Sequence, residues 1–334
     1  MPETNTQIVL ASRPQGWVNE NNFRIERTPL PVATDGQVLL KNLYLSLDPY
    51  MRGRMNEGAS YAASVQIGEV MVGETISEVV ESRNPKFQPG DTVSARSGWQ
   101  SYALSDGTGL RKVDTRLVPA TAWLGAVGMP GVTAWYGLLK IGAPKEGETV
   151  VVSAASGAVG SVVGQIAKIK GCRVIGFAGG PQKCDYVVKE LGFDACIDHR
   201  AAGLMEALAA ATPKGIDVYF ENVGGPVLDA VLARCNSFAR IHVCGMIADY
   251  NETERYGVKN LISVVGNRLK MQGFIISDHP EIWPEALGQL ARWVGEGKIK
   301  YRETVVQGLE NAPKAFVGLF KGENFGKLVV KIHG

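Results

Sequence analysis

Up to about residue 125 the apolar residues come in short stretches divided by glycine, proline and asparagine, such as Gln37 to Leu47, Glu69 to Val80 and Asp91 to Leu104. This is the texture of a β-rich domain. In the first stretch Leu43, Leu45 and Leu47 alternate with Tyr44 and Ser46, so one strand face can pack inward while the other meets a different surface. Pro89-Gly90-Asp91 is a turn signal ahead of the next strand. From about Thr149 onward, valine- and isoleucine-rich runs alternate with helix-like segments, the βα pattern of a parallel sheet. The expected strands are Thr149 to Ser153, Arg173 to Ala178, Ala195 to Asp198, Asp217 to Glu221, Arg240 to Cys244 and Lys270 to Ile276. Gly160 to Lys170, Gln182 to Leu191, Leu204 to Ala211 and Val227 to Arg234 have the length and apolar spacing of crossover helices, and Ile282 to Glu296 reads as a longer amphipathic helix. Tyr301 to Gly308 and Lys327 to Ile332 read as strands again, so the tail is expected to return to the first domain. The predicted organisation is a β-rich domain over residues 1–125, completed by 300–334, and a doubly wound α/β dinucleotide-binding domain over 126–299.

Composition narrows the partners. The 334 residues suffice for two substantial cores, and 35 basic against 33 acidic residues, spread without long runs, give a net charge of only +2. No basic patch of the kind that binds nucleic acid or a membrane surface is evident, so a small-molecule partner is expected. The N-terminus lacks a basic stretch followed by an apolar run, and no apolar span is long enough for a transmembrane helix; a cytoplasmic location is the default expectation. The five cysteines are odd in number, lack CxxC spacing and all lie in the second half. They read as reduced thiols, each more in keeping with a small buried hydrophobe than with a redox group.

The most informative local feature is Val150-Val151-Val152-Ser153-Ala154-Ala155-Ser156-Gly157-Ala158-Val159-Gly160, a buried-type strand running into a turn of small residues and then a helix. It carries a modified dinucleotide fingerprint, Ala155-x-Gly157-x-x-Gly160. Small residues let the backbone approach a pyrophosphate, whose charge is favoured by N–H groups and the positive end of the following helix. A glycine triplet alone fits any tight turn; its place at the head of a train of βα units is what favours the cofactor. The next strand ends Phe177-Ala178-Gly179-Gly180, with no carboxylate to accept ribose hydroxyls, and Lys183 follows. That pattern favours NADPH over NADH, because a lysine ammonium supplies the charge-assisted contact a 2′-phosphate needs; a solvated helix lysine is the plainer reading.

A zinc alcohol dehydrogenase is the obvious rival among nicotinamide enzymes with a β-rich first domain, and it requires cysteine and histidine ligands there. Residues 1–171 contain neither. The four histidines, His199, His242, His279 and His333, are scattered at unrelated spacings, so no metal is expected.

Leu45-Ser46-Leu47-Asp48-Pro49-Tyr50-Met51-Arg52-Gly53-Arg54-Met55, Ala158-Val159-Gly160-Ser161, Glu221-Asn222-Val223-Gly224-Gly225 and Val243-Cys244-Gly245-Met246-Ile247-Ala248-Asp249-Tyr250 resemble the zinc-independent medium-chain dehydrogenase/reductases of the leukotriene B4 12-hydroxydehydrogenase/prostaglandin reductase family. Gln272-Gly273-Phe274-Ile275-Ile276 and Gly308-Leu309-Glu310-Asn311-Ala312-Pro313 look like the bacterial curcumin reductase branch. The resemblance spans nearly the whole chain. It implies a GroES-like domain beside a Rossmann domain, a homodimer, and NADPH-dependent reduction of the carbon–carbon double bond of an α,β-unsaturated ketone or aldehyde. It also implies that Ala158, Val159, Gly160 and Ser161 hold the pyrophosphate and that Lys183 faces the 2′-phosphate. Asn222, Cys244, Gly245, Phe274, Ile275 and Ile276 would line the cofactor cleft, and Asn324 would close over it. Where mammalian members have a tyrosine after the third strand, this chain has His199 followed by Arg200, leaving open which of the two serves the adenosine end.

Hydride delivery to the β-carbon of an enone leaves negative charge on the carbonyl oxygen, and without a metal, hydrogen-bond donors must stabilise it. The resemblance implies that Tyr250 lies beside the nicotinamide and the substrate carbonyl, which makes it the expected donor, though a loop tyrosine packed on a sheet edge fits the same position. Tyr50 is either part of the pocket wall or a turn anchor, and Arg52 and Arg54 either contact an acidic substrate tail or lie on the surface. Quinone reduction on the same fold, and an NADPH-binding sensor without catalysis, remain open alternatives at this level.

Overall fold

The computed structural model describes residues 4–333. Strands β1 (Thr4–Leu10), β2 (Phe23–Pro29), β3 (Val38–Leu47), β4 (Thr75–Ser82), β5 (Thr92–Ala95), β6 (Tyr102–Ser105) and β7 (Arg111–Lys112) come first, with the short helix α1 (Tyr50–Arg54) after β3. Helix α2 (Met129–Tyr136) runs into a π-helical turn and leads to the alternating run of β8 (Thr149–Val152), α3 (Gly160–Ile169), β9 (Arg173–Ala178), α4 (Pro181–Lys189), β10 (Ala195–Asp198), α5 (Leu204–Ala211), β11 (Ile216–Glu221), α6 (Gly225–Leu232), β12 (Cys235–Val243), α7 (Ser263–Gly266) and β13 (Lys270–Gly273). The chain closes with α8 (Trp283–Gly295), β14 (Glu303–Gln307), α9 (Ala312–Lys321) and β15 (Lys327–Lys331). It divides into two compact units, residues 1–124, 303–324 and 328–334 in one, and residues 125–302 and 325–327 in the other.

In the first unit the sheet runs β14-β15-β3-β4-β5-β7, with β6 also paired to β3, and β1 and β2 form a separate hairpin. The pairs β15–β3, β3–β4, β3–β6, β4–β5 and β5–β7 are antiparallel, the arrangement expected of a GroES-like unit. Its largest apolar cluster holds Leu45 and Leu47 of β3 with Met51, Met55, Trp99 and Phe316. Phe23 stacks on Trp99 at 5.4 Å between ring centroids, and Phe316 of α9 meets the same indole edge-on at 5.4 Å. The other face of β3 is polar where it counts: Ser46 is fully buried and hydrogen-bonds Asp48, so the alternation of apolar and polar residues there separates two buried environments.

The second unit is a parallel sheet in the order β10-β9-β8-β11-β12-β13. Counting from β8, that is 3-2-1-4-5-6, so the chain reverses its direction of winding between β8 and β11, where dinucleotides bind in doubly wound sheets. The central strands β8, β9 and β11 are buried on both faces, Val150 and Val151, Val174 and Ile175, and Val218 and Tyr219 among them, which is why they read as continuous apolar runs. Residues 325–327 belong to this unit because Lys327 N–H donates to Arg302 carbonyl at 2.8 Å and Gly326 bridges Gly157 in parallel. Among the described residues no helix is long and apolar enough to cross a membrane.

Candidate active site

The turn after β8 is shaped by close contact. Ala154 takes a left-handed φ of 51°, and its carbonyl oxygen lies 2.3 Å from the point where a β-carbon on Gly160 would stand. Only glycine fits there. A β-carbon on Gly164, one turn further along α3, would meet the Phe193 ring at 1.8 Å, so the helix is seated tightly against the sheet edge. Gly157 N–H donates to Ala154 carbonyl at 2.9 Å and Ser161 N–H to Gly157 carbonyl at 3.1 Å. Gly157, Ala158 and Val159 form the accessible rim of the turn, while Gly160 and Ser161 are buried beneath it. The N-terminus of α3 therefore opens onto a rim whose Gly157 and Ala158 leave the backbone open to approach, the kind of cradle a pyrophosphate requires. Gly326, at φ 75° with the position of a β-carbon 1.9 Å from Arg302 carbonyl, is held against this rim, and Asn324 lies two residues before it.

Across the reversal point, a buried knot fixes the turn after β11. Ser153 hydroxyl donates to Glu221 Oε1 at 2.9 Å and accepts from Asn222 N–H at 2.8 Å. Asn222 side-chain amide donates to Ser153 carbonyl at 2.8 Å, and Val223 N–H donates to Glu221 at 2.5 Å. Burial of Glu221 raises its carboxyl above the usual range, opposed by the N–H groups of Val223 and Gly224 and by Ser153. Ser153 and Glu221 were not singled out as site residues from the sequence, yet a hydroxyl and a carboxylate at the C-terminal ends of two otherwise apolar strands are the signal that could have found them.

Tyr250 follows on the same surface. Ile247 and Ala248 N–H groups donate to Asn222 and Val223 carbonyls at 3.2 and 2.9 Å, laying the Tyr250-bearing turn on the Asn222 turn. The Tyr250 hydroxyl accepts from Met246 N–H at 3.4 Å and lies 2.8 Å from where a β-carbon on Gly245 would stand. Cys244 N–H and Gly245 N–H donate to Glu221 carbonyl at 2.9 and 3.2 Å. Burial, then Glu221, pushes the Cys244 thiol up to about 12, so it is protonated at neutral pH. Phe274 turns its ring inward, 5.8 Å from Tyr136 and 6.2 Å from Phe220, over the bare α-carbon of Gly137. Ile275 is half-buried and Ile276 buried.

At the end of β9, His199 Nε2 and Arg200 Nε lie 3.2 and 2.9 Å from where a β-carbon on Gly179 would stand. Asp198, the nearby carboxylate, is committed to backbone, accepting from Gly180 N–H at 2.9 Å and Arg200 N–H at 3.0 Å. The Lys183 ammonium on α4 is held below its usual range by partial burial and by Arg200. His199 and Arg200 thus close over one bare α-carbon, with the Lys183 ammonium near enough to act on both, and this set of donors fits a phosphate dianion.

In the first unit, Tyr50 is half-buried against the apolar cluster. Burial, then Asp48 and Glu74, raises its hydroxyl far above the usual range, so it stays a neutral donor. Arg52 is only 4% exposed, donating to Gly16 carbonyl at 2.8 Å and to Asn56 at 2.5 Å. That is a brace between loop and helix, and the expectation that Arg52 faces a substrate tail has no support in its placement. Arg54 is the arginine laid over aromatic rings, 4.5 Å above Tyr61 and 5.7 Å from Tyr50. Among the described residues no group of three or more histidines, cysteines or carboxylates could hold a metal ion.

Residues 6–113 match the family profile described as the N-terminal domain of oxidoreductase, and residues 158–292 match the one described as zinc-binding dehydrogenase. The chain is 51% identical to the NADPH-dependent curcumin reductase of Escherichia coli, covering 99% of this chain and 98% of that protein. It is 42% identical to the 2-alkenal reductase (NADP(+)-dependent) of Nicotiana tabacum, covering 98% of each. The crystal structure of CurA in complex with NADPH from Vibrio vulnificus superposes with a TM-score of 0.94 at 52% identity, covering 98% of this chain and 99% of that one. The chain belongs to the medium-chain dehydrogenase/reductases, in the leukotriene B4 12-hydroxydehydrogenase/prostaglandin reductase family.

Proposed function

We propose that this protein is an NADPH-dependent reductase of the carbon–carbon double bond of α,β-unsaturated ketones and aldehydes, working without zinc. The observation that carries the reading is the coincidence of a dinucleotide cradle at the sheet's reversal point with likeness, over 99% of the chain, to an NADPH-dependent curcumin reductase. Bound NADPH would supply a hydride for the β-carbon of the substrate. The rim from Gly157 to Ser161 and the N-terminus of α3 hold the pyrophosphate, and Lys183, with His199 and Arg200 beside it, holds the 2′-phosphate. Ser153 and Glu221 lock Asn222 from below, so that its carbonyl-side oxygen is presented in a fixed orientation while its amide is bound to Ser153.

Tyr250 provides the electrophilic assistance. Its hydroxyl donates to the substrate carbonyl oxygen as negative charge develops there, and the α-carbon is then protonated by water or by the same phenol. A preorganised donor of this kind contributes on the order of a hundredfold in rate. Phe274 and Ile275 are assigned to the cofactor side. The absence of cysteine and histidine from residues 1–171 supports metal-free chemistry. The same reading includes a homodimer and a cytoplasmic protein. The open edge beside β13 carries exposed Leu261, Ile262, Val265 and Met271, a surface suited to a second copy, and all five cysteines are unpaired.

The test is cofactor consumption with an enone and with the matching saturated ketone. Loss of NADPH with the first alone supports double-bond reduction; equal loss with both contradicts it.

A further inference from the structure

We infer that His199 binds the 2′-phosphate as an imidazolium, taking up a proton when the phosphate arrives, so that the preference for NADPH over NADH is itself set by pH. This rests on the cofactor reading above and concerns how the adenosine end is recognised.

The geometry starts from strand register. Asp198 of β10 pairs with Ala178 of β9, which brings His199 and Arg200 level with Gly179. With no side chain at Gly179, the imidazole and guanidinium both close over its α-carbon, 3.2 and 2.9 Å from the missing β-carbon. Both are exposed on their outer side, where a ribose phosphate can reach them. The charged groups facing His199 are Arg200 beside it, Asp198 on the same strand end and Lys183 on α4. Asp198 opposes the others, held ionised by the two backbone N–H bonds its Oδ1 accepts.

Without a ligand, partial burial, then Arg200, and more weakly Lys183, all disfavour the charged imidazole, so near neutral pH it is neutral. A phosphate dianion placed among the three side chains reverses the local sign. An opposite charge within hydrogen-bonding range raises a histidine pKa by roughly 1–3 units, which moves the ring toward the cation. The neutral ring can offer one N–H donor, the cation two. The phosphate has its own linkage of the opposite sign: its second proton, ionising near pH 6 in a free phosphomonoester, is released among cations. That release is common to the wild type and to any His199 variant, and NADH, lacking the phosphate, shows neither effect.

The experiment is isothermal titration calorimetry of the full chain with NADPH and with NADH near pH 7, in buffers of different ionisation enthalpy, for the wild type, His199→Asn and His199→Gln. Wild type is expected to take up a substantial fraction of a proton more than either variant on binding NADPH, with no difference for NADH. Between pH 6 and 8 its NADPH:NADH affinity ratio is expected to fall by up to about tenfold more than that of the variants. Tight NADPH binding with equal proton counts in all three proteins overturns the inference and leaves the cofactor reading standing. Failure of the wild type to bind NADPH overturns both.

Discussion

The Tyr250 hydroxyl rests on the bare α-carbon of Gly245, 2.8 Å from the position a β-carbon would take. Gly245 is thereby a seat for the phenol, and Gly245→Ala should push it away from the Asn222 turn. Turnover is expected to fall on the order of a hundredfold, as for Tyr250→Phe. Because both changes remove the same donor, Gly245→Ala added to Tyr250→Phe should lower kcat little further. Additive losses would show that the two residues act separately.

Lys183→Ala should weaken NADPH binding by about tenfold or more, the scale of a lost charge-assisted hydrogen bond, and leave NADH affinity unchanged. Equilibrium binding of the two cofactors checks this. An unchanged ratio removes Lys183 from the 2′-phosphate site.

Gly326 and Gly297 have similar positive φ, 75° and 69°, but differ in surroundings: a β-carbon at Gly326 would lie 1.9 Å from Arg302 carbonyl, and one at Gly297 meets nothing within 4 Å. Gly297→Ala should cost about 1 kcal/mol of stability from backbone strain alone and leave NADPH affinity intact. Gly326→Ala must also break the Lys327–Arg302 bond and the bridge to Gly157. It is expected to reduce NADPH affinity at least several-fold, measured by binding alongside thermal melting. Equal effects of the two substitutions would contradict the role given to Gly326.

His242 is wholly buried in β12, edge-on to Phe220 at 4.6 Å, with no hydrogen-bond partner for either ring nitrogen. Burial, then Arg240, depresses its pKa from 6.5 to about 3. Between those values the unfolded chain binds a proton that the folded one refuses. The stability associated with the neutral ring is therefore full above pH 6.5 and is lost as pH falls toward 3, by up to about tenfold in the folding equilibrium per pH unit. Denaturant unfolding of His242→Leu should show a shallower acid loss than the wild type. Parallel curves would mean that His242 does not govern this limb.

The βα half was the more legible. Arg173–Ala178, Ala195–Asp198 and Leu204–Ala211 form the elements expected of them, residue for residue; for Arg173–Ala178 the reason is burial on both faces, which writes a strand as an apolar run. β12 begins at Cys235 rather than Arg240, since exposed Phe238, at φ 65°, interrupts the run with a kink. The strand expected to reach Ile276 stops at Gly273, because Phe274 leaves the ladder to pack on Gly137. In the first unit, β1 and β2 went unread: the exposed face of β2 carries Arg24 and Glu26, so no apolar run marks it. Asp91 to Leu104 likewise divides into β5 and β6, which pair with different strands.

Site residues followed the same division. The tight turn after β8 could be read because the close approach of backbone at Gly160 leaves a compositional mark. Arg52 could not, because its partner, the carbonyl of Gly16, lies 36 residues away and carries no side-chain signal. The pairing of His199 and Arg200 over Gly179 depended on strand register, which no local pattern specifies.

Double-bond reduction with NADPH is tested by product analysis by mass spectrometry after turnover of an aryl dienone of curcumin type with NADPH deuterated at the transferable position. The expected product carries one deuterium at the β-carbon of each double bond reduced, with the carbonyl intact. Deuterium on the carbinol carbon of an allylic alcohol, or turnover of quinones with the enone untouched, would contradict it.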